Sequence, residues 1–509
     1  MSLGKKLLRG AGVNVLEMAV KTVAMFITTP IMVRSFGQDG YGSWLLAMTM
    51  VGYLLVLDMG VTFSATRLMS IAVGARQGER LAALLSLLRR YFAYAGLVCI
   101  LFIFASFWLT PWIAAGTHHP EIVWVLAICG AATVLRYWFR QAMLLLRAHV
   151  RYDLLGLASI IRTLCQTPAM CWALLHHDGL VGAAIVHASG EVLELILQWS
   201  FTLKLPKVPG TEAGVGDSLN ADARKDLIAT SRDMTLVVVG MALRREVNPI
   251  LIARMSGVSH LPVYSLGMRL IGLLEDMVNA IFGGQVLAAL GQLHGANDQE
   301  GLKDRFLKLS HMTAAFCAGA MGGVLWLSDA FLHRWVGENL SAAAQVTWIL
   351  ALPHALAFMM YPVNNLLYIV GKAHWMARVV FYGGCLAMVL CIVFGLLWGF
   401  TGVVVGSAIA MFVERACILP HLLYKVTGIP PRTYVLKHLL KPALLGVAPA
   451  ALFALITEPW LRPDYATILL MAAGYTIVFA LTAPWLALDA STRGMLWRMM
   501  PFIKGRQAD

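Results

Sequence analysis

Apolar stretches long enough to cross a lipid bilayer recur along the whole of this 509-residue chain, and they leave few folds open to it. Residues 91–109, 154–175 and 467–488 are examples, each continuous and free of turn clusters. A helix rising ~1.5 Å per residue needs about 20 residues to cross a ~30 Å hydrocarbon core. Fourteen such segments fit along the sequence. Their apolar runs do not alternate with polar residues, which excludes a membrane β-barrel. Hydrophobic residues make up 59% of the chain and charged ones 13%, too few to coat a soluble protein of this size. The mean hydropathy of +0.73 agrees. The expected fold is therefore an all-α polytopic membrane protein with about fourteen transmembrane helices.

The net charge of +13 is better read as topology than as a nucleic-acid surface. With a cytoplasmic N-terminus and fourteen spans, most of the 40 Lys and Arg fall in cytoplasmic loops and termini. Only Arg34, Arg254, Arg334 and Arg462 fall on the opposite side, the asymmetry that the positive-inside rule describes. Both termini are placed in the cytoplasm, and no nucleic-acid partner is implied. Lys5, Lys6 and Arg9 precede an apolar stretch in the manner of a signal peptide, but Glu17 and Lys21 interrupt it, so it reads as an uncleaved first helix. All eight cysteines lie in apolar segments without a CxxC pair and read as small core residues, neither disulfides nor metal ligands.

The longest hydrophilic stretch, 204–232, contains Pro206, Pro209, Gly210, Gly214 and Gly216 and divides the spans into six before and eight after. The expected organisation is an N-lobe of six helices (1–203), a cytoplasmic linker (204–232), a C-lobe of six helices (233–427), and two further helices with a tail (428–509). A faint repeat supports it. The first span ends with Pro30, Arg34, Gly37 and then Tyr41; the seventh ends with Pro249, Arg254, Gly257 and then Tyr264. Two related lobes form a parallel repeat, and such repeats place a substrate site between them.

Charges at bilayer depth cost at least ~2.5–3.5 kcal/mol each on insertion scales, so they face a partner or a wet cavity. The basic candidates are Lys21, Arg67, Arg136, Arg162, Arg244, Arg245, Arg269 and Arg415. The acidic ones are Glu17, Asp58, Glu191, Glu194, Glu246, Glu275, Asp276 and Glu414. Arg67 and Arg136 stand close enough to span ends to snorkel. Helical spacing aligns the others on single faces. Span 1 carries Asn14, Glu17, Lys21 and Thr28; span 5, Arg162 and Gln166; span 6, His187, Glu191, Glu194 and Gln198. Span 7 carries Arg244 and Asn248 beside Arg245 and Glu246, span 8 carries Arg269, Asp276 and Asn279, and span 10 carries His354, Tyr361, Asn365 and Tyr368. Spans 3, 11, 13 and 14 are apolar at their centres. The bland reading is that pairs such as Glu17 with Lys21, or Glu414 with Arg415, lock neighbouring helices together.

Guanidinium groups bind phosphate oxygens through charge-assisted, often bidentate hydrogen bonds. Lys21, Arg67, Arg162, Arg244, Arg245 and Arg269 are accordingly candidate contacts for a diphosphate. Glu17, Asp58, Glu191, Glu194, Glu246 and Asp276 are candidates to neutralise those bases or to take a coupling proton or sodium ion. Asn14, Gln166, His187, Asn248, Tyr361 and Asn365 complete a polar lining. No cofactor or metal is implied.

The segment Phe36-Gly-Gln-Asp-Gly-Tyr41-Gly-Ser-Trp44, followed by Leu57-Asp58-Met-Gly60, resembles the first loop and second helix of the polysaccharide flippases. These are the O-antigen translocases (Wzx type) of the multidrug/oligosaccharidyl-lipid/polysaccharide superfamily. Leu7-Leu8-Arg9-Gly10-Ala-Gly12 and Thr401-Gly402-Val-Val-Val-Gly406-Ser-Ala fit as well, and the similarity in length and span count covers the whole chain. The resemblance implies two six-helix lobes in a V around a cavity that opens alternately to each face. It implies a bacterial inner-membrane protein that moves an undecaprenyl-diphosphate-linked oligosaccharide from the cytoplasmic to the periplasmic leaflet, alongside other polysaccharide-assembly proteins. By helix position it implies that Lys21, Arg67 and Arg269 contact the diphosphate and that helices 13 and 14 hold the lipid tail. A lipid II flippase and a multidrug exporter share this architecture. A polysaccharide polymerase or ligase needs catalytic groups on a sizeable periplasmic loop, which the sequence lacks, and no GxxxxGK[ST] nucleotide loop is present.

Overall fold

The computed structural model describes residues 3–58, 60–113, 121–176, 178–206, 208–209, 217–296, 298–340 and 342–499. Among these, every regular element is a helix. Parts of the expected linker (207 and 210–216) lie outside them.

The first unit, Met1–Leu261, contains α1 (Leu3–Leu54), α2 (Val61–Gly74), α3 (Gly78–Ile113), α4 (Glu121–Trp138), α5 (Arg140–Ala148), α6 (Tyr152–Leu175), α7 (Gly179–Thr202), α8 (Asp217–Arg245) and α9 (Val247–Ser256). The second, Pro262–Asp509, takes all but the first two residues of α10 (His260–Gly295). It continues with α11 (Gln299–Val336), α12 (Ala342–Met359), α13 (Tyr361–Ile369), α14 (Ala373–Val413), α15 (Leu419–Thr427), the short α16 (Pro431–Thr433), α17 (Lys441–Thr457), α18 (Tyr465–Leu486) and α19 (Ala490–Met499).

Among the described residues, ten helical runs are long and apolar enough to cross a membrane. Two of them hold two spans each. Gly37 (φ 67°) breaks α1, and Gly399 (φ 58°) breaks α14. A left-handed φ carries no penalty for glycine, so each break turns the chain back without a long loop. The sequence assigns its two remaining crossings to the α8–α9 run and α10, which are not among those ten. The chain is a multi-pass membrane protein.

The repeat glimpsed in the sequence is plain in the backbone. The pairs Gly37/Gly257 and Gly179/Gly399 all have positive φ, and each pair is 220 residues apart. A helix of 18 residues followed by one of 9 occurs twice, as α4–α5 and α12–α13, and the copies start 221 residues apart. Directly after each 9-residue helix the chain turns through a residue with positive φ: Val150 (56°) in the first copy, Gly371 (74°) in the second.

Packing within each unit follows from side-chain size. In the first, Leu54, Ala65, Met69, Leu84, Leu88, Phe92, Cys99, Tyr137 and Leu144 form a buried cluster that also takes in Ala223 and Leu227 of α8. The Tyr137 hydroxyl donates to the Leu54 carbonyl at 2.8 Å, so the polar tip of this buried ring is satisfied. In the second, Tyr475 of α18 packs with Ala450 and Ala454 of α17 and donates to the Gly319 carbonyl of α11 at 2.8 Å. Cys165 and Cys417 are exposed and so, against the expectation from hydropathy, do not belong to the core.

Candidate functional site

The densest charge cluster lies inside the first unit, where α4, α6 and α7 pack together against α1. Glu191 and Glu194 are one turn apart near the middle of α7, and Arg162 approaches them from the middle of α6. Its Nη2 is 2.6 Å from Glu191 Oε1, and its Nη1 donates to Glu194 Oε2 at 2.8 Å. Arg136, in the last turn of α4, closes the other side with Nη2 2.6 Å from Glu191 Oε2 and 3.9 Å from Glu194 Oε2. Two guanidinium groups thus face two carboxylates, and the cluster is neutral.

Uncharged polar groups extend it. Gln166 Oε1 accepts from Arg162 Nε at 3.0 Å, its Nε2 is 3.2 Å from His187 Nδ1, and Gln198 Nε2 donates to Glu194 Oε1 at 2.9 Å. The Trp44 ring of α1 meets His187 edge to face at 6.0 Å between centroids. Gln166 reaches its place because residue 190 is glycine: a Cβ there would lie 2.5 Å from Gln166 Oε1. The energetic reason for the cluster is clear. Four isolated charges at this depth would cost about 10 kcal/mol or more on insertion scales, and pairing across three helices removes most of that.

A second polar group marks the breaks in two spans. Asp58 precedes α2 and accepts from the Thr62 backbone N at 3.3 Å and from Thr62 Oγ1 at 2.6 Å. Arg140, the first residue of α5, donates from Nη2 to Asp58 Oδ2 at 3.4 Å and from Nε to Thr62 Oγ1 at 3.2 Å. The break between α4 and α5 is therefore tied to the break ahead of α2. Near the start of α6, buried Asp153 receives Arg151 Nε at 2.9 Å and Nη2 at 3.2 Å, with Arg9 Nε 3.5 Å away.

The other residues singled out from the sequence are distributed as follows. Lys21 is exposed and pairs with Glu17 at 2.6 Å on its own helix, where Gly156 of α6 lets Asn14 and Glu17 approach. Arg67, Arg245, Arg269 and Asp276 are exposed, Arg244 and Glu246 are half-buried, and Asn248 is buried. Glu246 lies over Gly52, whose hypothetical Cβ would be 3.1 Å from Glu246 Oε2. It also stands at the one-residue break between α8 and α9, where the backbone keeps right-handed helical dihedrals (φ −94°, ψ −18°). Span 10 breaks in the same way at Met360, and Asn365 there donates to the Tyr361 carbonyl at 3.2 Å. Glu414 and Arg415 form a buried pair at 3.2 Å in a π-helical turn, Glu414–Ile418.

Of the residues that the sequence grouped by face, the structure thus joins Arg162, Gln166, His187, Glu191 and Glu194 into one network. Arg136 is the correction. Its nearness to a span end reads as snorkelling, yet it points inward to Glu191. Trp44, Gly190 and Arg140 were not selected at all. A glycine in the middle of the polar face of span 6 is the one signal that could have pointed to close approach there.

These features define a class, the many-spanning α-helical membrane proteins with a built polar network inside one helical unit. The chain belongs to the family described as polysaccharide biosynthesis protein, which matches residues 7–292. It is 21% identical over 449 residues to the uncharacterized membrane protein EpsK of Bacillus subtilis (strain 168), covering 84% of this chain and 83% of EpsK. Among solved structures it is similar to the lipid II flippase MurJ in an inward closed conformation, with a TM-score of 0.67, 11% identity, and coverage of 92% of this chain and 98% of that one. It is also similar to a MATE family multidrug transporter of the MOP superfamily in an inward-facing conformation, with a TM-score of 0.64, 12% identity, and coverage of 80% and 95%. The fold is like that of these two transporters.

Proposed function

We propose that this protein is a flippase that carries an undecaprenyl-diphosphate-linked oligosaccharide from the cytoplasmic to the periplasmic leaflet of a bacterial inner membrane, for surface polysaccharide synthesis. The observation that carries the reading is the family match to polysaccharide biosynthesis proteins on a transporter-type fold. The partly open polar network at bilayer depth adds to it, because a lipid anchor needs no such chemistry.

In this reading the prenyl tail stays in lipid while the head group passes through a polar interior by alternating access of two six-helix lobes, with both termini in the cytoplasm. Arg162 is satisfied by two carboxylates. The diphosphate role therefore falls to the exposed or half-buried cations Lys21, Arg67, Arg244, Arg245 and Arg269. Glu17, Asp58, Glu246 and Asp276 are the acids that an ion gradient would act through, with a proton or sodium ion as the coupling species. Because MurJ shares the fold over nearly its whole length, lipid II is the second substrate to test.

The deciding experiment is removal of the gene from its host, followed by extraction of lipid-linked intermediates. The reading requires loss of surface polysaccharide and accumulation of the lipid-linked unit on the cytoplasmic leaflet. Surface polysaccharide at wild-type level would refute it, and rescue of a strain depleted of its lipid II flippase would transfer the assignment to lipid II.

A further inference from the structure

The network on α4, α6 and α7 is built for a different part of such a substrate than its arginines first suggest. A phosphate site holds a surplus of donors and positive charge. Here the two guanidinium groups are matched by two carboxylates. The remaining capacity is on the acceptor side. A carboxylate offers about four acceptor positions, whereas Glu191 receives two close donors, from Arg136 and Arg162, and Glu194 two, from Arg162 and Gln198. About half of the positions remain for an incoming donor. A phosphate has none to offer and would meet those lone pairs as a like charge.

Hydroxyl groups fit. His187 Nε2 lies 4.0 Å from Glu191 Oε1, too far for a direct hydrogen bond. A hydroxyl about 2.8 Å from each would accept from the ring, in the tautomer with its proton on Nε2, and donate to the carboxylate. The network is not sealed, since 25% of the His187 side chain, 29% of Arg136 and 17% of Arg162 remain accessible.

We propose that Arg136, Arg162, Glu191, Glu194, Gln166 and His187 form a sugar subsite, one that binds the hydroxyl groups of a neutral sugar or an amino sugar and disfavours an acidic one. This rests on the flippase reading only for the source of the sugar. The binding chemistry stands on the network itself.

The test uses the full-length protein in lipid nanodiscs and two probes: undecaprenyl diphosphate carrying one neutral hexose, and sugar-free undecaprenyl diphosphate. The wild type binds the hexose-bearing lipid about tenfold or more tightly, the size of one or two added hydrogen bonds to charged groups. Glu194→Gln, and separately Glu191→Gln should one variant fail to fold, abolishes that preference and leaves affinity for the sugar-free lipid equal or higher, because one negative charge has gone. Equal affinity of the wild type for the two lipids would overturn the proposal. So would an equal loss for both lipids in a folded variant, which would make the network a helix lock or a phosphate site. Transport measured on the same preparations reports separately: a wild type that prefers the hexose-bearing lipid but moves neither would overturn the flippase reading and leave the subsite intact.

Discussion

Arg162 holds Glu194 at 2.8 Å across the interface of α6 and α7, and the same guanidinium reaches Glu191 at 2.6 Å. One side chain thereby bridges both carboxylates that α7 carries into the membrane and offsets half of their charge, with Arg136 offsetting the rest. Arg162→Ala leaves two carboxylates with only Arg136. Breaking a buried pair costs ~3–5 kcal/mol, and the partial exposure of this one places it at the lower end of that range. Thermal unfolding in detergent should show a clear drop in Tm for Arg162→Ala. The drop should be smaller for Arg162→Ala combined with Glu194→Gln, since contacting groups couple by about 0.5–3 kcal/mol.

Gly190 is required by its neighbour. An added methyl group would stand 2.5 Å from Gln166 Oε1 and displace the amide that accepts from Arg162 Nε. Gly190→Ala should therefore lower Tm, and a second change, Gln166→Ala, should recover part of the loss by making room. Recovery absent in the double variant would mean that the glycine serves the backbone alone.

Asp58 accepts from the backbone N and the hydroxyl of Thr62 in the first turn of α2 and also receives Arg140 from the start of α5. Hydrogen bonds to a charged group contribute about 1.5–3 kcal/mol. Asp58→Ala should exceed Arg140→Ala in its effect on stability, because it removes both the contacts to Thr62 and the tie between the two helix breaks. Hydrogen exchange over 61–74 is the direct readout, with faster exchange in Asp58→Ala than in Arg140→Ala.

Val150 has φ 56°, where its counterpart in the second unit, Gly371, has φ 74°. A left-handed conformation costs an L-residue roughly 1–2 kcal/mol, partly offset by the unfolded-state entropy that glycine adds. Val150→Gly should raise Tm slightly or leave it unchanged, whereas Gly371→Val should lower it. The two variants measured together test the structural equivalence of the positions.

The sequence disclosed the fold through length and hydropathy, because each span must satisfy its own backbone in lipid and so has no alternative to helix. It also disclosed half of the polar network, since His187, Glu191, Glu194 and Gln198 follow helical spacing along a single helix. It did not disclose which helix supplies the counter-charges. That depends on packing between α4, α6 and α7, and Arg136 near a span end looks the same in sequence whether it snorkels outward or turns inward. The breaks at Glu246 and Met360 did carry a local signal, since Pro249 and Pro362 follow within a turn and cannot donate back to the preceding turn, but a helix-wide periodicity runs straight through both positions.

Transbilayer movement in reconstituted liposomes tests the central claim most directly. Purified protein is placed in vesicles with undecaprenyl-diphosphate-linked oligosaccharide, and the fraction of head group reachable from outside is followed with a membrane-impermeant glycosidase. The proposed function predicts protein-dependent exposure of the inner-leaflet pool well above protein-free vesicles. Exposure equal to protein-free vesicles, with lipid II or a cationic drug moved by the same preparation, would contradict it.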